Sequence, residues 1–327
     1  MKSVAFLRAG CAALVVLSLA ACAPKAYVVK NPVPSDVRYV AQSTQPSQLA
    51  LVDNRAADER SFLTGTLAST LMVDKSPLDP SAFLASNLQA ELTARGIAVQ
   101  VNPGQSGAFP RIDLKTFRIL NHRQNGFSPY VTFTYISADV ETATGKKRLG
   151  VFVKRGKVPV WSFEEIIEPT LNQPLSLAVK ELAAKIGQHL YGASADDAAL
   201  TALKAKIAQR NDNSFIDVYA LGFTNNPKAI DTLVGLTRDN DEYVRIAAIS
   251  SLGNLRAEGQ FELLKSIYGS ANIWQDRAMA IKSIGDLDTA ESKAFLTEQM
   301  AYWKGKAADK DSMKEANWTL QVIGLYL

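Results

Sequence analysis

A pattern that recurs through the carboxyl-terminal part of the chain constrains its fold more than any other feature. Between Pro227 and Leu255 two amphipathic windows lie back to back around the polar turn Arg238-Asp239-Asn240-Asp241. Ile230, Leu233, Val234 and Thr237 mark one stripe, and Val244, Ala247, Ala248, Ser251, Leu252 and Leu255 mark the next. Spacings of three and four residues put each set on one side of a helix. The small residues Ala247, Ala248 and Ser251 admit a neighbouring helix at close range. A lone helical hairpin cannot bury its stripe, so it needs neighbours of its own kind. The pair that ends each second helix recurs as Leu221-Gly222, Leu252-Gly253, Ile284-Gly285 and Ile323-Gly324, at intervals of 31, 32 and 39 residues. The longer last interval is taken up by a wider turn around Trp303 to Asp309.

These residues resemble a HEAT repeat of the kind found in phycobilisome-lyase-type repeat proteins. The likeness rests on Pro227, Asp239, Val244-Arg245, Ala247-Ala248 and Leu252-Gly253. In that family an Asp and an Arg form a polar ladder between adjacent repeats, which implies this role for Asp239 and Arg245, with Arg277 at the matching position of the next repeat. Ser214 and Ala316 stand at that position in the other repeats, and Ala271 replaces the Asp in the third. Repeat similarity does not carry ligation chemistry with it. Stacked hairpins do present an extended curved surface suited to protein binding. On it Trp274, Tyr302, Trp303 and Trp318 are candidate interaction residues, since aromatic side chains are enriched at binding hot spots. Trp274 and Trp318 fit packing between hairpins equally well, and the array can also dock on the domain that precedes it.

At the other end, Lys2 and Arg8 precede the apolar or small run Cys11 to Ala21, which ends in Leu19-Ala20-Ala21-Cys22. That is a secretory signal peptide, too short to span a bilayer comfortably. Its last four residues resemble a bacterial lipobox, which implies cleavage before Cys22, a covalent lipid on its sulfur and no other cofactor. Several acyl chains, at about 0.8 kcal/mol per buried methylene, make a stable anchor. Ala23, rather than Asp, resembles lipoproteins sorted to the outer membrane, so the expected location is its periplasmic face. Cleavage takes Cys11 and leaves no free thiol for a disulfide or metal site. It also leaves 34 of the 36 basic residues against 32 acidic ones, a net +2 that gives no nucleic-acid signature.

Domain organisation follows: signal peptide over 1–21, a lipidated Cys22 with a Pro- and Ser-rich flexible tether over 22–47, an α/β module over 48–192 and the repeats over 193–327. In the module, Leu49 to Val52, Ile97 to Val101, Arg111 to Leu120, Tyr130 to Thr142, Arg148 to Lys154 and Val158 to Phe163 are expected strands. Arg60 to Met72 is ambiguous between helix and extended chain. Asp79-Pro80 opens a helix that Gly96 stops, and Pro174 to Leu190 forms another. The fold class is therefore α+β: a small, antiparallel-rich mixed sheet backed by two helices, followed by an all-α solenoid. The element order and the Val52-Asp53-Asn54-Arg55 start are similar to small envelope-lipoprotein and TolB amino-terminal modules.

Chemistry-bearing constellations are few. His122 and His189 are read as surface or packing histidines, and no catalytic or nucleotide-binding motif is present. Glu164, Glu165 and Glu168 read as a solvated strand edge rather than a catalytic carboxylate pair. Lys146, Lys147, Arg148, Lys154, Arg155 and Lys157 cluster along a predicted hairpin. They fit two roles: protection of an exposed sheet edge, or a patch for anionic ligands such as lipid headgroups. The expectation is a non-enzymatic, membrane-anchored adaptor or assembly factor whose partner is another envelope protein. The alternative is a lipid-, lipopolysaccharide- or glycan-binding accessory that uses the basic hairpin.

Overall fold

The computed structural model describes residues 26–40, 48–104, 110–143 and 145–327. The expected signal peptide and Cys22 lie outside them. The α+β expectation holds. Strands β1 (Tyr27–Val29), β4 (Leu71–Val73) and β5 (Ser76–Pro77) form a small sheet. The main sheet runs β6 (Gln100–Pro103), β2 (Gln48–Asp53), β7 (Arg111–His122), β8 (Tyr130–Thr142), β9 (Gly145–Lys157), with β3 (Leu63–Gly65) also paired to β7. β2 lies parallel to both its neighbours, while β7, β8 and β9 form an antiparallel meander.

Two helices cover one face of this sheet. α1 (Pro80–Ala94) starts where Asp79 accepts a hydrogen bond from the Ala82 amide at 2.8 Å. It ends before Gly96, whose φ of +92° suits a residue without Cβ. A short helix α2 (Glu164–Ile167) passes through a π-turn into α3 (Gln173–Tyr191). Leu84, Leu88, Leu92, Leu182 and Ile186 are fully buried between these helices and the sheet; each such side chain contributes about 1.5–3 kcal/mol.

Four hairpins follow: α4 (Asp197–Ala208) with α5 (Ser214–Gly222), α6 (Ile230–Leu236) with α7 (Glu242–Asn254), α8 (Phe261–Ser270) with α9 (Trp274–Leu287), and α10 (Ala290–Lys306) with α11 (Met313–Ile323). The second helices of successive hairpins stack directly on one another. Gly222 ends its helix as its pairing with Leu221 suggested, whereas Gly253 and Gly285 lie inside theirs. All three are points of close contact. A Cβ on Gly222 would sit 2.3 Å from the Ser251 Cβ, and one on Gly253 would sit 2.6 Å from the Ser283 Cα. Serine therefore faces glycine at Gly222 and Gly253, while Gly285 lies against the Tyr326 ring, and the serine hydroxyl bonds the preceding helix, Ser283 Oγ to the Ile249 carbonyl at 2.7 Å.

Three expectations need correction. Residues 26–40 are not a free tether: Tyr27, Val29 and Tyr39 are buried, and the Tyr39 amide donates to the Arg95 carbonyl at 2.7 Å. Pro32 and Pro34 bar regular structure there without preventing the flanking aromatics from packing. The segment Val158 to Phe163 is a loop, because Pro159 has no N–H to extend the ladder past Lys157. Glu164 and Glu165, expected at a strand end, instead open α2.

Candidate binding site at the junction of sheet and repeats

Residues alternate between the two sides of a strand. On β8 one side carries Phe133, Tyr135, Ser137 and Asp139, opposite Lys154, Phe152, Gly150 and Arg148 of β9. This side meets the repeats. The Phe133 ring lies 5.3 Å from Trp274 and 4.8 Å from Trp318, with 4.9 Å between the two indoles. The Ser137 hydroxyl donates to the Leu325 carbonyl at 3.0 Å, and the Tyr326 ring lies against Gly150. The inner face of the helical stack is thus filled by the protein's own sheet.

A buried ion cluster crosses this junction. Lys185 of α3 reaches Glu181 and Asp286, each at 2.7 Å, while Lys282 of α9 reaches Glu181 at 2.6 Å and Asp286 at 2.7 Å. Tyr326 donates to Asp286 at 2.8 Å, and the Lys282 ammonium donates to Ser250 Oγ at 2.8 Å. Burial pushes the Asp286 carboxyl up, but the Lys185 and Lys282 charges outweigh it and hold it below the ordinary range. Burial lowers Lys282 while Asp286 and Glu181 outweigh that effect and hold it above the ordinary range. Two charges of each sign balance here, which satisfies the condition for burying ions. These residues escaped the sequence reading. The available signal was the i,i+4 pairs Glu181/Lys185 and Lys282/Asp286, set among apolar helix positions.

Beside this cluster the surface opens into a cleft of about 230 Å³, lined by Lys147, Arg148, Lys185, His189, Arg256 and Asp286 among others. A second concavity shares Lys147 and Arg148 and adds Asp139, Lys146, Asp288 and Lys293. Lys185 and Asp286 offset each other, which leaves five cations, Lys146, Lys147, Arg148, Arg256 and Lys293, against Asp139 and Asp288. Asp139 pairs with Lys146 at 2.8 Å and with Arg148, and Asp288 pairs with Lys293 at 2.7 Å and Lys147 at 3.3 Å. Arg256 has a looser partner, Glu258 at 3.6 Å. The excess positive charge is felt locally. Burial lowers His189, and the Lys147 and Arg256 charges lower it further. Burial and Arg256 likewise lower Lys147, against the pull of Asp288.

The six cations expected as one patch are divided by strand geometry. Lys147 and Arg148 line the cleft and Lys146 the concavity beside it, whereas Lys157 lies ten residues along β9 from Lys147, about 33 Å at ~3.3 Å per residue. Between these ends, Lys154 is buried against Glu242, and the Arg155 guanidinium lies 4.1 Å from the Phe215 ring centre and 4.0 Å from that of Tyr243. Of the candidate interaction aromatics, Trp274 and Trp318 belong to the internal junction. Trp303 is buried and donates to the Tyr268 hydroxyl at 2.9 Å. Tyr302 alone of the four is exposed, beside a groove lined by Tyr268, Arg277, Gln299 and Glu315.

The ladder residues link successive hairpins. Arg210 pairs with Asp239, Arg245 reaches Asp276 at 2.7 Å and the Asp239 carbonyl at 2.8 Å, and Arg277 reaches Glu315 at 2.7 Å. His122 lies edge-on to Trp318, with ring centres 5.5 Å apart. Among the described residues, no group of three or more His, Cys, Asp or Glu is placed to hold a metal ion, and no helix is long and apolar enough to cross a membrane.

No curated protein matches the chain. A solved structure described as "Crystal structure of uncharacterized protein" is similar over 50% of this chain and 98% of its own, at 13% identity and a TM-score of 0.30. Residues 218–285 match the family of HEAT repeats. That span runs from α5 to α9, the part of the stack where glycine and serine face each other, so this α+β chain carries HEAT-like repeats in its helical half.

Proposed function

We propose that the protein is a non-catalytic lipoprotein of the outer membrane, anchored through Cys22 on the periplasmic face, that binds an anionic ligand in the cleft between sheet and repeats. One observation supports this reading above all: five cationic side chains from both modules line two adjoining concavities, where Asp139 and Asp288 are the carboxylates left to balance them once Lys185 and Asp286 offset each other. Groups so placed attract phosphate or carboxylate oxygens, and Arg148 and Arg256 add donors in a planar fork. The ligand class is a phosphate- or carboxylate-bearing envelope molecule, such as a lipid or lipopolysaccharide headgroup or an acidic glycan. The protein serves as an accessory that holds this molecule during transport or assembly.

The test is calorimetric titration of the full chain with inorganic phosphate and with lipopolysaccharide, compared with Arg256→Gln and Lys147→Gln. Binding that weakens in both variants and with added salt is the expected result; heats that are absent, or equal in all three proteins, would sink the reading. Because the His189 pKa is lowered, its proton is held only at acid pH, so affinity should rise as the pH falls below 6.5.

A second reading, an adaptor for another envelope protein, has one observation in its favour. The groove beside exposed Tyr302 is lined by side chains of α8, α9, α10 and α11 and by no residue of the sheet. Tyr302→Ala would then lose a defined partner in a pulldown from solubilised envelopes, with stability unchanged. An unchanged partner set rejects the adaptor.

A further inference from the structure

One end of the main sheet carries an exposed apolar rim. Tyr130, where β8 begins, pairs with Lys157, where β9 ends, so the turn before β8 and the loop after β9 leave the sheet at the same end. Phe127 in that turn is 97% exposed, and Trp161 in that loop is 82% exposed. Val158 and Phe163, in the same loop, are exposed as well. The amino-terminal segment arrives here too, since the Tyr27 ring lies 6.3 Å from that of Phe163 and exposed Val28 follows it. Five of the ten large exposed hydrophobics among the described residues therefore gather at one end of one sheet. Soluble surfaces scatter such residues singly, and a gathered set marks an interaction site.

The chain outside the structure indicates what covers this rim. Only five peptide units separate Cys22 from Tyr27, at most about 18 Å of extended chain. We infer that the rim seats on the membrane that holds the anchor, an inference that rests on the lipid anchor of the proposed function. Trp161 and Phe127 enter the boundary between headgroups and acyl chains, where aromatic side chains are favoured. Lys157 and Lys30 flank the rim, and their long stems let the ammonium groups reach lipid phosphates. The basic cleft lies at the opposite end of β9, about 33 Å away at ~3.3 Å per residue. Seated this way, the protein holds its cleft clear of the anchoring membrane, so the anionic ligand comes from the periplasmic side and not from the lipids underneath.

The test uses the full-length acylated protein in phospholipid vesicles whose acyl chains carry bromine near the headgroups, with tryptophan emission as the readout. Trp274, Trp303 and Trp318 lie within the fold, so bromine-dependent quenching is expected from Trp161 and should be lost in Trp161→Phe. Phe127→Ser should reduce it. Incorporation of labelled fatty acid at Cys22, lost in Cys22→Ala, reports the anchor separately. A labelled protein without bromine-dependent quenching overturns the rim proposal and leaves the anchor standing. Cross-linking of the rim to an envelope protein in place of lipid quenching overturns it as well. Where no label is incorporated, the anchor reading fails. The rim is then judged by the unacylated chain, whose vesicle binding must vanish in a Phe127→Ser, Trp161→Ser double variant, and absence of binding rejects it.

Discussion

The two faces of the main sheet are closed by different means. Under α1 and α3 the seal is mainly aliphatic, Leu84, Leu88, Leu92, Leu182 and Ile186, with Phe117 of β7 on the same side of the sheet. Under the repeats it consists of the aromatic group Phe133, Phe152, Trp274 and Trp318 and the ion cluster of Glu181, Lys185, Lys282 and Asp286. An aliphatic seal tolerates many arrangements of similar volume. An ion cluster does not, because each charge needs its partner in place. The first face thus supplies general stability, and the second specifies how the solenoid sits on the sheet and so shapes the cleft.

Lys282→Met is expected to have the largest effect, a loss of about 3–5 kcal/mol in chemical denaturation, because it leaves two buried carboxylates, Asp286 and Glu181, with Lys185 alone to balance them. Leu182→Ala, on the other face, should cost about 2–5 kcal/mol through lost burial and the cavity left behind. Repeating both across pH sharpens the contrast. The Lys282→Met deficit should shrink in acid, where the carboxyls take up protons, while the Leu182→Ala deficit stays constant. Equal pH profiles for the two variants would mean that the ion cluster does not distinguish the faces.

The wild-type protein should follow the same logic. Asp286 is held below its ordinary 3.8, so its contribution is complete above that value and fades as the pH falls through the lower folded value. Lys282 is held above its ordinary 10.5, so its contribution is complete below that value and is lost as the pH rises through the higher folded one. Unfolding midpoints measured through both limits should fall at each extreme.

Smaller effects probe the stack itself. Gly253→Ala forces a Cβ against the Ser283 backbone and should cost about 1–3 kcal/mol. Gly235→Ala, in the exposed helix α6 with open space around it, should instead gain about 0.5–1 kcal/mol. If both variants behave alike, the close approach of helices at Gly253 is wrong. Arg210→Ala breaks the most exposed rung of the ladder and should cost only about 0.2–1 kcal/mol.

Much of this was legible along the chain because it depends on local periodicity. The hairpins of the repeat array, the Asp79 cap and the long strands β7 to β9 all follow from spacing and capping chemistry. The strand Tyr130 to Thr142 even held a hint of its double cover, with Phe133 and Tyr135 on one side and Ile136 and Val140 on the other, since a strand apolar on both sides is buried on both. The cleft was half visible. Lys146, Lys147 and Arg148 stood out as a basic run, but His189, Arg256 and Lys293 come from elements up to 147 residues away and carry no local mark.

The sequence by itself determined most of the element types and the repeat, because each is written in neighbours a few residues apart. Tertiary structure alone decided that the inner face of the solenoid belongs to the protein's own sheet. It also split the basic run along a strand and matched two distant pairs of buried charges. Those outcomes rest on contacts between residues such as Lys185 and Asp286, 101 positions apart, and only the folded chain brings such partners within reach of each other.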